Sequence, residues 1–523
     1  MTILSIVLPL LFSFSLFLNY LYIVKKRDAF EIVKDMGIGY NLGNTFESYS
    51  FYGEAIKNPN DQITLKGNIA PTKQMIKKIK KYGFKTIRFP VTWKYFIDEF
   101  GNIDSNWIKA IKEIIDIIMS AKMYCILNIH HDGKYGNWLS KGMVSKDIYI
   151  NLWTQLANIF KDYDDHLIFE SMNEVYYLDE NTHDYDFTEL LNLNQVFVNA
   201  IRNSEKFNKE RLLLVAGAYD DIEWTCSSDY IMPIDPYNKL AVSIHYYNPS
   251  DFTKNPYFET FIWVDNNNVT VINEPTLEWG NGDEYIKIFK DFELMKTSFL
   301  DKGIPIIIGE VGVLTEEKKY IESIREYLLL EFSISSDYDG IMSCLWDTSN
   351  KMFGDMNFYD RNNDIWFDEK IKENFLIISK KKYVSPMDYY IQTKFETLSV
   401  VNYEGILYIS IGKRKVKTII LNIRLTKTLS REVEFIIYTK DKDRKMFSID
   451  FGKENIKKNY DGTSTFTIDV TQIDCNEFIE TTVNKGHQYI KFNNLTLEFE
   501  ENFLTIDYKS YKNAISNYIK SAS

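Results

Sequence analysis

Two glutamates offer a chemistry. Glu174 lies near the end of LIFESMNEV, Leu167 to Val175, an apolar run of the kind that makes a buried strand but finishes in an amide, Asn173, beside a carboxylate. Glu310 closes a second such run, IPIIIGEVG. A single glutamate at a strand end usually caps the helix that follows. Two facing each other across a cavity suit retaining glycoside hydrolysis, in which one serves as acid and then base while the other attacks the anomeric carbon. The acid must hold its proton near neutral pH and the nucleophile must not, so their surroundings must differ. Arg88 and Tyr247 are expected to favour the charged form of Glu310, and the remaining charge pair to raise Glu174.

Other apolar runs also end in polar or aromatic residues. They supply Asn44 in NLGNT, Arg88 in TIRFPV, His130 and His131 in LNIHHD, His245 and Tyr247 in SIHYYNP, and Trp346 in CLWDTSN. Taken singly, Arg88 reads as a structural ion pair and Trp346 as core. Seven such accidents at seven strand ends are improbable, so their convergence carries the functional reading. A metal is the rival for His130, His131 and Asp132. Neighbours in a strand are expected to face opposite ways and the helical HExxH spacing is absent, so no metal and no cofactor are expected.

The elements that must position these residues alternate along residues 36–346. Strand candidates are Met36 to Asn44, Phe84 to Pro90, Met123 to His130, Leu167 to Glu174, Arg211 to Ala216, Leu240 to Tyr247, Ile304 to Glu310 and Gly340 to Trp346. Between them, WIKAIKEIIDII puts Ile108, Ile111, Ile115 and Ile118 on one helical face, and a last helix follows RNNDIWFDEKIKENF. Consecutive apolar residues suit strands covered on both faces, as in a parallel sheet. Eight units predict an α/β fold, a (β/α)8 TIM barrel, over 28–385; a doubly wound sheet has the same rhythm. In a barrel, the C-terminal strand ends meet at one mouth. Beyond Ser385-Pro386 the pattern turns to alternation, as in Val433, Phe435, Ile437 and Phe466, Ile468, Val470, which predicts a β-sandwich accessory domain over 394–508. All nine Trp precede residue 367, so a carbohydrate-binding role there would rest on Tyr403, Tyr408, Tyr438, Tyr460 or Tyr489; a structural spacer fits equally.

At 523 residues the chain suits two domains, and a net charge of −12 gives no basic footprint for nucleic acid. Four cysteines form no disulfide framework or zinc spacing, and Cys125 and Cys344 sit inside apolar runs. Residues 3–24 are nearly all apolar and are followed by Lys25, Lys26 and Arg27, so 1–27 reads as a signal peptide or a membrane anchor. Positive charge after the span favours a cytoplasmic C-terminal side, but export is the preferred reading, giving a secreted or cell-surface monomer. The sequons at Asn268 and Asn494 are compatible with secretion.

NLGNT, TIRFPVTW, NIHHD, MNEV, IHYYNP and GEVG occur in one order over about residues 30–380, and in that order the chain resembles glycoside hydrolase family 5, the cellulase family, in its branch of endoglucanases from anaerobic bacteria and rumen fungi. The resemblance implies a (β/α)8 fold, Glu174 as acid/base and Glu310 as nucleophile, with Arg88, His130, Asn173, His245 and Tyr247 around them. It also implies that Asn173 binds the 2-hydroxyl at the cleavage subsite and that Trp346 is the platform under that sugar. The implied activity is a retaining endo-β-1,4-glucanase acting on cellulose or a related β-glucan. Xyloglucan, lichenan and mannan are alternative substrates on the same scaffold, and a non-catalytic surface glycan-binding protein is the rival from another class. The chain departs from the family pattern at Tyr40, where Trp is expected, and no dockerin is recognisable. Tyr257, Phe258, Trp263 and Trp279 in the loop after the sixth strand are expected as exposed sugar-stacking aromatics.

Overall fold

The computed structural model describes residues 27–381, except 51–55, 134–136, 178–184, 255–261, 265–269, 273–278, 280–281, 316–320 and 350–354, and the strands between 406 and 507. The apolar segment 3–24 lies outside the described residues, among which no helix is long and apolar enough to cross a membrane.

Eight parallel strands close into a barrel in sequence order. They are β1 Gly39–Asn41, β2 Thr86–Phe89, β3 Tyr124–Asn128, β4 Leu167–Glu170, β5 Leu213–Ala216, β6 Leu240–Tyr246, β7 Ile306–Val311 and β8 Ile341–Leu345. Closure removes the doubly wound alternative. Every predicted strand is present, but most ladders stop earlier than the apolar runs do. The first, expected from Met36 to Asn44, pairs only over Gly39–Asn41, because Met36 already ends helix α1, Ala29–Met36. The Asp28 and Glu31 side chains start that helix by accepting each other's backbone N–H.

The barrel helices are α2 Lys73–Lys81, α3 Ser105–Ser120, α4 Lys146–Phe160, α5 Phe187–Arg202, the single turn α6 Ile222–Thr225, α7 Gly282–Ser298, α8 Ile321–Asp337 and α9 Glu369–Ser379. In α3 the buried face is Trp107, Ile111, Ile114, Ile115 and Ile118, with Ile108 at its edge, and the Asp104 carboxylate accepts the N–H groups of Asn106 and Trp107 to cap it.

Side chains alternate along each strand. Ile87, Phe89, Leu127, Phe169, Val215, Val242, Ile244, Ile306 and Ile308 face the helices. The opposite set, Ile126, Ile168, Leu214, Ala241, Ile307, Met342 and Cys344, packs with Ile32, Val33 and Met36 of α1, so this helix plugs the lower end of the barrel. Gly39 shares that interior with Cys344: a Cβ there would lie 2.3 Å from the Cys344 Sγ. One pleat higher the inward positions become polar, with Asn41, Arg88, Asn128, Glu170 and Ser243 all buried. An apolar floor under a polar mouth fixes where chemistry can occur.

Two antiparallel sheets follow. One orders Ile406–Gly412, Glu477–Val483, Val433–Tyr438 and Arg444–Ile449; the other orders Lys457–Lys458, Ser464–Asp469, Val416–Leu425, Ile490–Phe499 and Phe503–Asp507.

Candidate active site

Arg88 on β2 organises the mouth. Its Nε and Nη2 donate to the two oxygens of Glu170 at 2.7 and 3.0 Å, and Nη2 also reaches Asn173 Oδ1 at 2.6 Å. Nη1 donates to Asn41 Oδ1 at 3.1 Å and to Glu310 Oε1 at 2.8 Å. All five guanidinium donors are thereby used, in a planar fork that a lysine cannot reproduce. Burial opposes the charge, but Glu170 and Glu310 outweigh it and hold Arg88 firmly protonated. Ser243 Oγ adds a 3.2 Å bond to Glu170.

Glu310 reaches the mouth through a bulge. Ile306 and Ile308 face the helices, so strict alternation would send Glu310 the same way. Between Ile308 and Glu310, however, β7 carries one residue more than β6, and His245 pairs opposite Glu310; the register against β8 shifts there too. The inserted residue is Gly309, where a Cβ would meet His245 Nε2 at 3.0 Å and Arg88 Nε at 3.3 Å. Thus rotated inward, Glu310 accepts from Arg88 on one oxygen and from the Tyr247 hydroxyl on the other at 2.9 Å. Burial, then the charges of Glu310 and Glu174, push the Tyr247 phenol well above its ordinary pKa, so it stays a donor.

Glu174 lies four residues past the end of the β4 ladder. Its φ is 40°, the left-handed region, and its N–H donates to Asp220 Oδ2 at 2.8 Å. Its Oε1 is 2.9 Å from His245 Nδ1, which is also 3.6 Å from Glu310 Oε2. Burial works against the imidazolium, yet the carboxylates of Glu310, Asp220 and Glu174 prevail and raise the His245 pKa. One carboxylate oxygen each of Glu174 and Glu310, together with a His245 ring nitrogen, lie within 4.8 Å of one another. Such a trio could hold a metal ion, but the Arg88 cation already occupies Glu310 Oε1.

The remaining expected residues divide. Asn173 spends its Oδ1 on Arg88, which leaves its buried Nδ2 without a hydrogen-bond partner. His130 lies 3.9 Å from Glu310 Oε1 through Nε2, and its ring is parallel to Trp346, 5.7 Å away at 4°. Trp346 follows β8, and at Gly43 of NLGNT a Cβ would come within 2.6 Å of the Asp347 carbonyl, so the Trp346 loop packs directly on that glycine. The Tyr40 hydroxyl donates to the buried Asp347 carboxylate, which also accepts the N–H groups of Ser349, Phe358 and Tyr359. This gives the departure at Tyr40 a local role in holding that loop.

Three expectations change. The residue of NLGNT that joins the Arg88 network is Asn41; Asn44 instead donates its backbone N–H to Glu47, and its carbonyl accepts from Asn68. The ladder ends at Asn41, which sets which asparagine points inward. His130 and His131 do not face opposite ways: β3 stops at Asn128 and a tight turn begins at His131, so the two rings sit 4.4 Å apart. Asp132 accepts from Trp93 N–H and Trp138 Nε1, which makes it a fastener of the loop. Trp279 is no exposed platform, being 4% exposed and packed edge-on to Tyr327 at 5.3 Å. Tyr257 and Phe258 lie outside the described residues, and Trp263 belongs to the short hairpin Ile262–Val264 with Thr270–Ile272.

Sequence reasoning missed Asn41, Glu170 and Asp220. Glu170 was visible inside LIFE as a lone carboxylate in an apolar run facing the same way as Ile168. Asp220, in GAYDD, was hidden by Asp221, which has the ordinary task of capping α6.

A family model described as Cellulase (glycosyl hydrolase family 5) matches residues 50–352. Endoglucanase A of Clostridium longisporum is 30% identical over 365 residues, 66% of this chain and 65% of that one. Endoglucanase B of Neocallimastix patriciarum is 31% identical over 345 residues, 62% of this chain and 66% of that one, so the chain spans a little under two thirds of each. Among solved structures, a broad specificity endoglucanase from an uncultured bovine rumen ciliate is 51% identical with a TM-score of 0.66, covering 68% of this chain and 99% of that one. A lichenase from a Caldicellulosiruptor species is 28% identical with a TM-score of 0.61, covering 68% and 96%. The matched segment runs through the mouth residues from Arg88 to Trp346, and on that ground the chain belongs to the cellulase family, glycosyl hydrolase family 5.

Proposed function

We propose that the chain is a retaining endo-β-1,4-glucanase in which Glu310 is the nucleophile and Glu174 the acid/base. The observation that carries this reading is the closeness of the two carboxylates, one oxygen of each lying within 4.8 Å of the other. Retaining pairs sit about 5–5.5 Å apart, whereas inverting pairs leave roughly 6.5–9.5 Å for a water. In the first step Glu310 attacks the anomeric carbon, the glycosidic C–O bond breaks, and Glu174 gives its proton to the departing oxygen. In the second, Glu174 takes a proton from water, the water oxygen attacks the same carbon, and Glu310 leaves. Two inversions return the β configuration.

The surrounding groups fit these roles. Arg88 and Tyr247 each donate to one oxygen of Glu310 and so fix its aim, the unpartnered Asn173 Nδ2 is a donor for the sugar 2-hydroxyl, and Trp346 supplies an apolar ring face. Tyr176, two residues after Glu174, 46% exposed and edge-on to Tyr219, is an exposed aromatic on which a sugar ring could stack. The names of the related endoglucanases and the lichenase favour a glucan, with mixed-linkage glucan as the second substrate.

Catalysis is assigned to residues 28–385. The two C-terminal sheets support a sandwich over 394–508, a spacer or a carbohydrate-binding module, and a chain ending near residue 390 should keep its rate on soluble glucan. Residues 1–27 are read as a signal peptide or membrane anchor, and export, the preferred reading, would have the enzyme act outside the cell.

The test is carboxymethylcellulose and barley β-glucan, followed by viscosity, reducing ends and the anomer of the first product. Viscosity should fall before reducing ends accumulate, and the first product should be the β anomer. Activity confined to mannan or to chain ends, or an initial α anomer, would overturn the reading.

A further inference from the structure

The fifth strand was the one whose end offered no chemistry in the sequence, and its loop holds a buried carboxylate against Glu174. Asp220 is fully buried. Its Oδ2 accepts the Glu174 N–H at 2.8 Å and its Oδ1 accepts the Gly217 N–H at 3.1 Å. Oδ2 also lies 3.9 Å from His245 Nε2, and the other nitrogen of that ring is 2.9 Å from Glu174 Oε1. Asp220 thus holds the Glu174 backbone directly, and it faces, without bonding to it, the imidazole that meets the Glu174 carboxyl.

The backbone on both sides of this contact is in an unfavourable region. Glu174 has φ 40°, and the consecutive Tyr219 and Asp220 have φ 55° and 50°. Side-chain-bearing residues seldom adopt such values, and they persist where the surroundings impose them. Here the surroundings can be named. Tyr185 donates its hydroxyl to the Val175 carbonyl at 2.8 Å and accepts the Tyr219 N–H at 3.2 Å, bridging the β4 and β5 loops. At Gly217 a Cβ would lie 2.5 Å from the Ser243 carbonyl, so the loop rests hard against β6.

We propose that Asp220 is the positioning residue of the acid/base: by accepting the Glu174 N–H it holds that residue in the left-handed conformation that aims its carboxyl at the glycosidic oxygen. This rests on the reading of Glu174 given above. If the N–H loses its acceptor, φ can relax to negative values and the carboxyl swings off the line of proton transfer. A misplacement of about 1 Å can cost about 10²-fold in rate. The requirement is for a carboxylate, because both oxygens accept backbone N–H groups and an amide would turn a donor against one of them.

The test uses the full chain and a series of aryl β-cellobiosides from dinitrophenyl to phenyl. Here kcat/KM reports the first, glycosylating step, and Glu174→Ala is the reference. Asp220→Asn should leave the dinitrophenyl substrate nearly unchanged, because that leaving group needs no proton. It should lose about 10²-fold on the phenyl substrate. The same steepening, larger, is expected of Glu174→Ala. Uniform loss across the series in Asp220→Asn, or no loss, overturns the proposal. If Asp220→Asn fails to fold, Tyr185→Phe loosens the same bridge and should show the same steepening in milder form, whereas a uniform loss there overturns it. A flat series in Glu174→Ala sinks the assignment of Glu174 itself. A steep Glu174→Ala with a flat Asp220→Asn removes only the clamp.

Discussion

The two carboxylates of the mouth are held in opposite ways. Glu310 is gripped by side-chain donors, the Arg88 guanidinium on one oxygen and the Tyr247 hydroxyl on the other. Glu174 is held through its backbone by Asp220 and at its carboxyl by His245, and the five donors of Arg88 are all spent elsewhere. The difference fits the roles proposed for the two residues. In the proposed nucleophile, a donor on each oxygen fixes the direction in which the carboxylate can attack. The proposed acid/base must gain and lose a proton in each cycle, and its carboxyl meets an imidazole, a group that itself titrates, whereas Arg88 carries a permanent charge.

The largest expected effect comes from removing each carboxylate. Glu310→Ala should abolish turnover on every substrate, while Glu174→Ala should lose about 10²–10⁴-fold on glucan. The latter should still react with an activated aryl glycoside and accumulate glycosyl-enzyme until azide is added. Full activity in Glu310→Ala would break the comparison outright.

Arg88→Lys should come next, because it leaves the buried Glu170 with too few donors. Breaking a buried pair of this kind costs about 3–5 kcal/mol, measurable as a lowered unfolding midpoint in denaturant, with activity lost as well. Wild-type stability in Arg88→Lys would show that the fork is dispensable. Tyr247→Phe removes one bond to a charged oxygen, worth about 1.5–3 kcal/mol. Its kcat should fall while the fold is kept, and the loss should be similar across aryl leaving groups, unlike that expected at Asp220.

A carboxyl outside both surroundings provides the reference. Glu331 on α8 accepts from Ser343 Oγ at 2.7 Å, and burial pushes it up to about 8. Its folded value is above the unfolded value of about 4.3. The proton is therefore held more tightly in the folded chain, and the stability it contributes is present at acid pH and lost as pH rises through about 8. Thermal unfolding should move to lower temperature between about pH 5 and pH 8. Glu331→Gln should reduce that slope with little change in kcat, whereas an unaltered slope would remove Glu331 as its source. Smallest of all, EDTA should leave the rate on β-glucan unchanged, since Arg88 already provides the cation at Glu310; loss of activity restored by a divalent metal would reopen the Glu174, His245 and Glu310 trio as a metal site.

Much of this was legible in the chain. The eight apolar runs became the eight strands because burial on both faces of a parallel sheet leaves no other composition open to them. Arg88, Asn173, Glu174, His245, Tyr247, Glu310 and Trp346 were recognisable because each interrupts such a run or directly follows it. Trp279 misled because an aromatic in a long loop looks exposed until Tyr327 is packed against it. Glu170 was passed over because a strand residue has no visible partner until β2 is laid beside β3 and β4.

The sequence by itself determined the element types, their order and the residue kinds available at each strand end, since these depend on local periodicity and on what a core can bury. Which of those residues face one another was decided only on closure. The clearest case is Glu310: alternation from Ile306 and Ile308 points it at the helices, and one extra residue at Gly309 turns it into the mouth. A bulge is a mismatch between neighbouring strands, so it does not exist in any one of them. The same holds for Asp220, which became the partner of Glu174 because β4 and β5 are neighbours in a closed barrel and their loops must share one space.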